Sequence, residues 1–136
     1  MTNASAFINS DNWVRETRIG TWFLGTEMWR RHVLPEAIVD LRVLLDDSVQ
    51  TGRLLDIGCG QGYSFRLIDR LFRPDSLLGI DIDPELVEIG RGLASSCSCP
   101  AEVRVGDATS LDLPDASIDT IFCHQTFHHL AEQQAA

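Results

Sequence analysis

The segment Leu54-Leu55-Asp56-Ile57-Gly58-Cys59-Gly60-Gln61-Gly62 constrains this chain more than any other. An apolar run leads into alternating glycines, and a helical pattern follows in Phe65, Leu67, Ile68 and Leu71. A backbone that turns sharply from strand to helix and lets a ligand approach needs residues without a Cβ. The start of the next helix adds unpaired N–H groups. A nicotinamide-binding fingerprint reads G-x-G-x-x-G. Here the last glycine comes one residue early, and Asp56 precedes the first. That carboxylate repels a pyrophosphate and suits a ligand carrying an ammonium group.

The rest of the chain predicts a fold around this turn. Arg53–Ile57, Ser76–Ile80, Ala101–Val105 and Ile118–Cys123 are short and apolar or alternating, as strands are. Tyr63–Phe72 and a segment opened by Pro84 have helical spacing between them. Strands alternating with helices predict an α/β fold, a Rossmann-like parallel sheet with right-handed crossovers and helices on both faces. Ahead of it, Leu34, Ala37, Ile38, Leu41, Leu44 and Leu45 mark a helix with Pro35 in its first turn. Residues 1–50 thus form an aromatic, helical N-terminal segment, and residues 51–136 a partial Rossmann-like domain. Another helix is expected from Phe127. Residues 130–136 carry no helix punctuation, and a sheet ending at its fourth strand exposes an edge. The chain is therefore expected to be part of a longer domain.

Two further acids stand at predicted strand ends. Asp81 occupies the position where nucleotide-binding α/β folds put an acceptor for ribose hydroxyls. Asp83, followed by Pro84, suits the N-cap of the next helix, which leaves Asp81 for the ribose. Asp107, in Gly106-Asp107-Ala108-Thr109, is either an ordinary turn residue or an acceptor for an exocyclic amine.

Charge narrows the partners. The net charge is −9, and all eleven basic residues are arginines. A phosphate backbone is bound by clustered positive charge, so no nucleic-acid partner is expected. No apolar run is long enough for a membrane helix, and residues 1–10 lack a signal-peptide pattern. No membrane partner and a cytoplasmic location are the expectation. Cys59, Cys97, Cys99 and Cys123 form no C-x-x-C pair and are expected as free thiols.

Together, 54–62, Gly79-Ile80-Asp81-Ile82-Asp83-Pro84, Gly106-Asp107-Ala108 with Leu113-Pro114, and Ile118-Asp119-Thr120-Ile121 resemble the class I S-adenosylmethionine-dependent methyltransferases. His128-His129-Leu130 also looks like a segment of small-molecule members. The resemblance implies S-adenosylmethionine as cofactor and a small-molecule methyl acceptor. It implies that Asp56 holds the methionine amino group, directly or through water, and that Gly58, Cys59 and Gly60 pass close to the methionine and ribose. It gives the ribose hydroxyls to Asp81, the adenine face to Ile82, the adenine amino group to Asp107 and a ring nitrogen to the Ala108 N–H. His124 would line the methyl end. The family sheet runs 3-2-1-4-5-7-6, and this chain supplies its first four strands.

The histidines at 124, 128 and 129 are candidates for a base, with packing or capping as the alternative; no metal is expected. Trp13, Trp22, Phe23 and Trp29, with Arg15, Arg18, Arg30, Arg31 and His32, form either a lid over a planar or anionic substrate or an anchor onto the sheet. A nicotinamide-dependent oxidoreductase domain and a non-catalytic cofactor-binding module are the competing functions.

Overall fold

A computed structural model describes residues 18–124 and 126. The candidate helix from Phe127, His128, His129, Trp13 and Arg15 lie outside the described residues. Four strands form one parallel sheet: β1 (Arg53–Ile57), β2 (Ser76–Asp81), β3 (Ala101–Val105) and β4 (Thr120–Cys123). Their order is β3-β2-β1-β4. Helices α1 (Arg18–Leu24) and α2 (Leu34–Leu44) precede the sheet, joined by a π-helical turn at Trp29–Val33. Helix α3 (Phe65–Phe72) connects β1 to β2, and α4 (Pro84–Ala94) connects β2 to β3.

Two successive right-handed crossovers in one direction put α3 and α4 on the same face of the sheet. Leu54, Leu77, Val103 and Phe122 point to that face and pack with Ile38, Phe65, Ile68 and Val87 from the helices. Leu55, Ile57 and Ile80 point to the other. Among the described residues that second face carries no helix; Ala108, Leu111, Leu113 and Ile118 from one irregular segment cover it. Ile121, paired with Leu55, is 61% exposed there.

Phe65 is the centre of the packing, with none of its surface exposed. A Cβ placed on Gly79 of β2 would come within 2.6 Å of its ring, so strand and ring meet without slack. Phe65→Ala is expected to lower stability by about 3–5 kcal/mol, the usual loss for a buried aromatic. A fall in the urea midpoint at unchanged slope checks it.

Two boundaries differ from expectation for identifiable reasons. Strand β4 begins at Thr120 rather than Ile118. Asp119 is held by Arg53 before the ladder starts: its carboxylate accepts from the Arg53 backbone N–H at 2.8 Å and from Arg53 Nε at 2.8 Å. Helix α3 begins at Phe65 rather than Tyr63, and Ser64 provides no side-chain cap. Its hydroxyl is used elsewhere, in the site itself.

Candidate functional site

The carboxyl ends of β1, β2 and β4 meet at the glycine turn. The Gly58 and Cys59 N–H groups both donate to the Ile80 carbonyl, at 2.7 and 3.1 Å, so the turn is stitched to the end of β2. Gly58 has φ +68°, and a Cβ there would collide with the Thr126 side chain at 2.1 Å. Thr126 Oγ1 also donates to the Gly58 carbonyl at 3.3 Å. Gly58→Ala therefore meets both strain and a steric block, and is expected to lower the melting temperature by several degrees, about 1–3 kcal/mol. Gly60, at φ +53°, is different: a Cβ there would meet nothing within 4 Å. The space beside Gly60 is where a ligand can lie against bare backbone.

Asp81 organises this space. One carboxylate oxygen accepts the Gly60 N–H at 2.8 Å and the other the Asp83 N–H at 2.9 Å. The sequence suggested that Asp81 would be free; instead it ties the turn to β2 and still has lone pairs on each oxygen for two further donors. Burial pushes its pKa up, opposed by these backbone bonds. Asp83 is the N-cap of α4, accepting from Glu85 N at 2.8 Å and Leu86 N at 3.4 Å.

Asp56 lies deeper, only 2% exposed, beneath the turn. The Ser64 hydroxyl donates to it at 2.9 Å, which is why Ser64 does not cap α3. Burial, with the like charge of Asp81 as a lesser cause, raises the Asp56 pKa to about 7, against the lowering effect of the Ser64 bond. The Cys59 thiol is also driven upward, chiefly by burial and then by the charges of Asp56 and Asp81. It stays a thiol at neutral pH and is no nucleophile.

The other candidates flank this centre. Ile82 follows Asp81 and is half-buried. Asp107 closes a turn of its own: one oxygen accepts Thr109 N at 2.8 Å and Thr109 Oγ1 at 2.7 Å. The turn role expected for it is present, and its second oxygen is left for another donor. Ala108 packs against the second-face cluster. His124 stands at the end of β4 between Trp29, at 5.8 Å between centroids, and Phe122, stacked at 6.2 Å. Burial lowers its pKa, so the imidazole is neutral at pH 7.

The N-terminal segment reaches this edge. Trp29 is a buried anchor, touching His124 on one side and Phe23 at 5.7 Å on the other. Trp22 is exposed. The contact that sequence reasoning did not find is Arg30 on Tyr63: its guanidinium lies 4.9 Å from the ring centroid, and Nη1 donates to the hydroxyl at 3.1 Å. No local pattern signals a pair so far apart along the chain.

Comparison with known proteins agrees with this geometry. The methyltransferase-domain family matches residues 54–136. Ajmaline N-methyltransferase of Rauvolfia serpentina is 30% identical over 91 residues, covering 65% of this chain and 31% of that protein. Phosphoethanolamine N-methyltransferase 1 of Arabidopsis thaliana is 30% identical over 84 residues, covering 61% of this chain and 17% of that protein. Among solved structures, an S-adenosylmethionine-dependent methyltransferase from Aquifex aeolicus aligns at a TM-score of 0.66 and 20% identity. That alignment covers 89% of this chain and 63% of that one and speaks to the fold. The chain spans about a third or less of the length of the curated relatives it matches.

Proposed function

This chain belongs to the methyltransferase-domain family, the class I S-adenosylmethionine-dependent group, and on that premise we propose that it binds S-adenosylmethionine and takes part in methyl transfer to a small molecule. The observation that carries the reading is the Asp81–Gly60 pair. It combines a carboxylate with spare lone pairs and a glycine whose missing side chain leaves open space. A ribose that sits over Gly60 can give two hydroxyl hydrogens to Asp81. A dinucleotide pyrophosphate in the same place would face Asp56 and Asp81.

The remaining residues have matching tasks in this proposal. Asp107 has an oxygen for the adenine amino group, Ala108 offers its N–H, and half-buried Ile82 supplies an apolar surface. Asp56 is almost wholly buried, which favours contact with the methionine amino group through a water or through Ser64. His124 and Trp29 wall the methyl end. The cofactor, when bound, supplies an already activated methyl group, so the protein's work is positioning and exclusion of water. His124, neutral at pH 7, is suited to accept a proton from an acceptor that must lose one.

A small-molecule acceptor is favoured by the net charge of −9, which opposes approach of a phosphate backbone. Trp29 acts as an anchor, and the exposed Trp22 leaves a lid role to α1. A cytoplasmic location is favoured by the thiols of Cys59, Cys97 and Cys99, none of them in a disulfide. Radiolabelled methyl transfer tests the function, with this chain and with any longer product of its reading frame. Incorporation into small metabolites and not into RNA is expected; label in ribosomal RNA would reject the acceptor class.

A further inference from the structure

Strand β3 closes one side of the sheet, and we propose, independently of the function above, that this edge pairs with the same edge of a second copy of the chain, antiparallel about Val103. The order β3-β2-β1-β4 gives β3 one neighbour among the described residues. An edge strand offers a row of backbone donors and acceptors to another chain.

The direction of those groups follows from the ladder with β2. The Leu77 N–H donates to the Pro100 carbonyl at 2.9 Å, and the Gly106 N–H donates to the Asp81 carbonyl at 2.9 Å. Even-numbered residues of β3 therefore turn their backbone groups towards β2, and Ala101, Val103 and Val105 turn theirs outward. Three outward residues centred on Val103 suit a two-fold axis through that residue. Val103 would exchange both of its bonds with Val103 of the second copy, and Ala101 would exchange its own with Val105.

The side chains fit the same axis. Antiparallel pairing about Val103 sets Glu102 opposite Arg104 of the second copy, and Arg104 opposite its Glu102. Both residues are exposed and are already paired within the chain, Arg104 Nε donating to Glu102 Oε1 at 2.6 Å. Two copies would thus close a square of alternating charges, and opposite charges across strands stabilise pairing. On the other face, Val105 is 44% exposed and would stand opposite Ala101, a small residue. Ala101 lines a groove of about 310 Å³ between β3 and the Arg91, Ala94 and Ser95 side of α4, with room for that valine. The same patch complements itself in charge and in size, as an isologous dimer contact must.

One residue opposes the pairing. Arg91 Nε donates to the outward Val103 carbonyl at 3.3 Å, while its Nη1 is held by Glu88 at 2.8 Å. Arg91 must turn away before a second strand can bond there. With five residues in each strand, the joint is small against the roughly 1,200 Å² of a stable interface. A reversible dimer, forming in the micromolar to millimolar range, is therefore expected.

Sedimentation equilibrium of the full chain tests this. Each copy carries a net charge of −9, so the runs are made in 0.15 M salt, which screens repulsion beyond about 8 Å. The wild type is expected to dimerise. Glu102→Arg and Arg104→Glu each put like charges opposite one another at both ends of the joint, and each alone should raise the dimer dissociation constant by roughly 10-fold or more. Mixed together they should form a heterodimer, because each then carries the sign the other lacks. Recovery on mixing also shows that both variants fold. Arg91→Met, which frees the Val103 carbonyl, should associate more tightly than the wild type. A wild type that stays monomeric into the millimolar range overturns the proposal. So does a dimer that both charge reversals leave unchanged, or a mixture that associates no better than its parts.

Discussion

Asp56→Asn is expected to melt at a higher temperature than the wild type at pH 8 and at the same temperature near pH 4. The cause is burial: Asp56 is 2% exposed, and its pKa rises from 3.8 to about 7 on folding. A carboxyl whose folded pKa is raised binds a proton more tightly in the native state than in the unfolded chain. Its contribution is fully present below the unfolded pKa and is lost as pH climbs through the folded value. The wild type should therefore lose stability between about pH 4 and pH 7. A shift of about three units corresponds to about 4 kcal/mol. The asparagine cannot ionise and can still accept from Ser64, so this pH dependence should disappear. In a domain of this size the difference at pH 8 amounts to about 10 °C or more. Thermal melts of both proteins at pH 4, 6 and 8 measure it. The same group predicts the pH dependence of binding. An ammonium favours ionised Asp56, so affinity for S-adenosylmethionine should rise as pH passes 7, and the asparagine variant should bind weakly at every pH. A residue that destabilises the free chain and strengthens the complex is the pattern expected of a binding site.

Asp81→Ala is expected to weaken cofactor binding severely. The substitution deletes two prospective bonds to ribose hydroxyls, each about 1.5–3 kcal/mol when the acceptor is charged. It also releases the Gly60 N–H, held at 2.8 Å, and the Asp83 N–H, held at 2.9 Å. Affinity should fall by roughly 100-fold or more, as two such bonds imply. Asp83→Ala is the matched control: it removes the cap of α4, bonded to Glu85 N and Leu86 N. It should cost about 1 kcal/mol of stability and leave affinity nearly unchanged. Calorimetry for binding and thermal melts for stability separate the two carboxylates. If they behaved alike, Asp81 would be only a structural acceptor.

These two acids also show what the residues themselves disclose. Strand β1 at Arg53–Ile57 falls where its apolar run puts it, and β3 at Ala101–Val105 where its alternation does, because both signals are local. Asp83 as a cap next to Pro84 is equally local. What was not legible depends on partners distant in sequence. Ser64 looks like a helix cap but serves Asp56, eight residues back. Asp119 delays β4 because it is bonded to Arg53 across the sheet. Trp29–Val33 forms a π-helical turn that no apolar period announces, and it carries Arg30 to Tyr63. Helices on both faces were expected; the described helices share one face because β1, β2 and β3 advance in one direction.

The central claim is that the turn over Asp56 and Asp81 is shaped for S-adenosylmethionine rather than for a dinucleotide. Titration calorimetry of the purified chain with S-adenosylmethionine and with NADH under the same conditions tests it most directly. Saturable one-to-one binding of S-adenosylmethionine, weakened roughly 100-fold or more in Asp81→Ala, with no heat from NADH, is the predicted result. NADH binding more tightly than S-adenosylmethionine would contradict it.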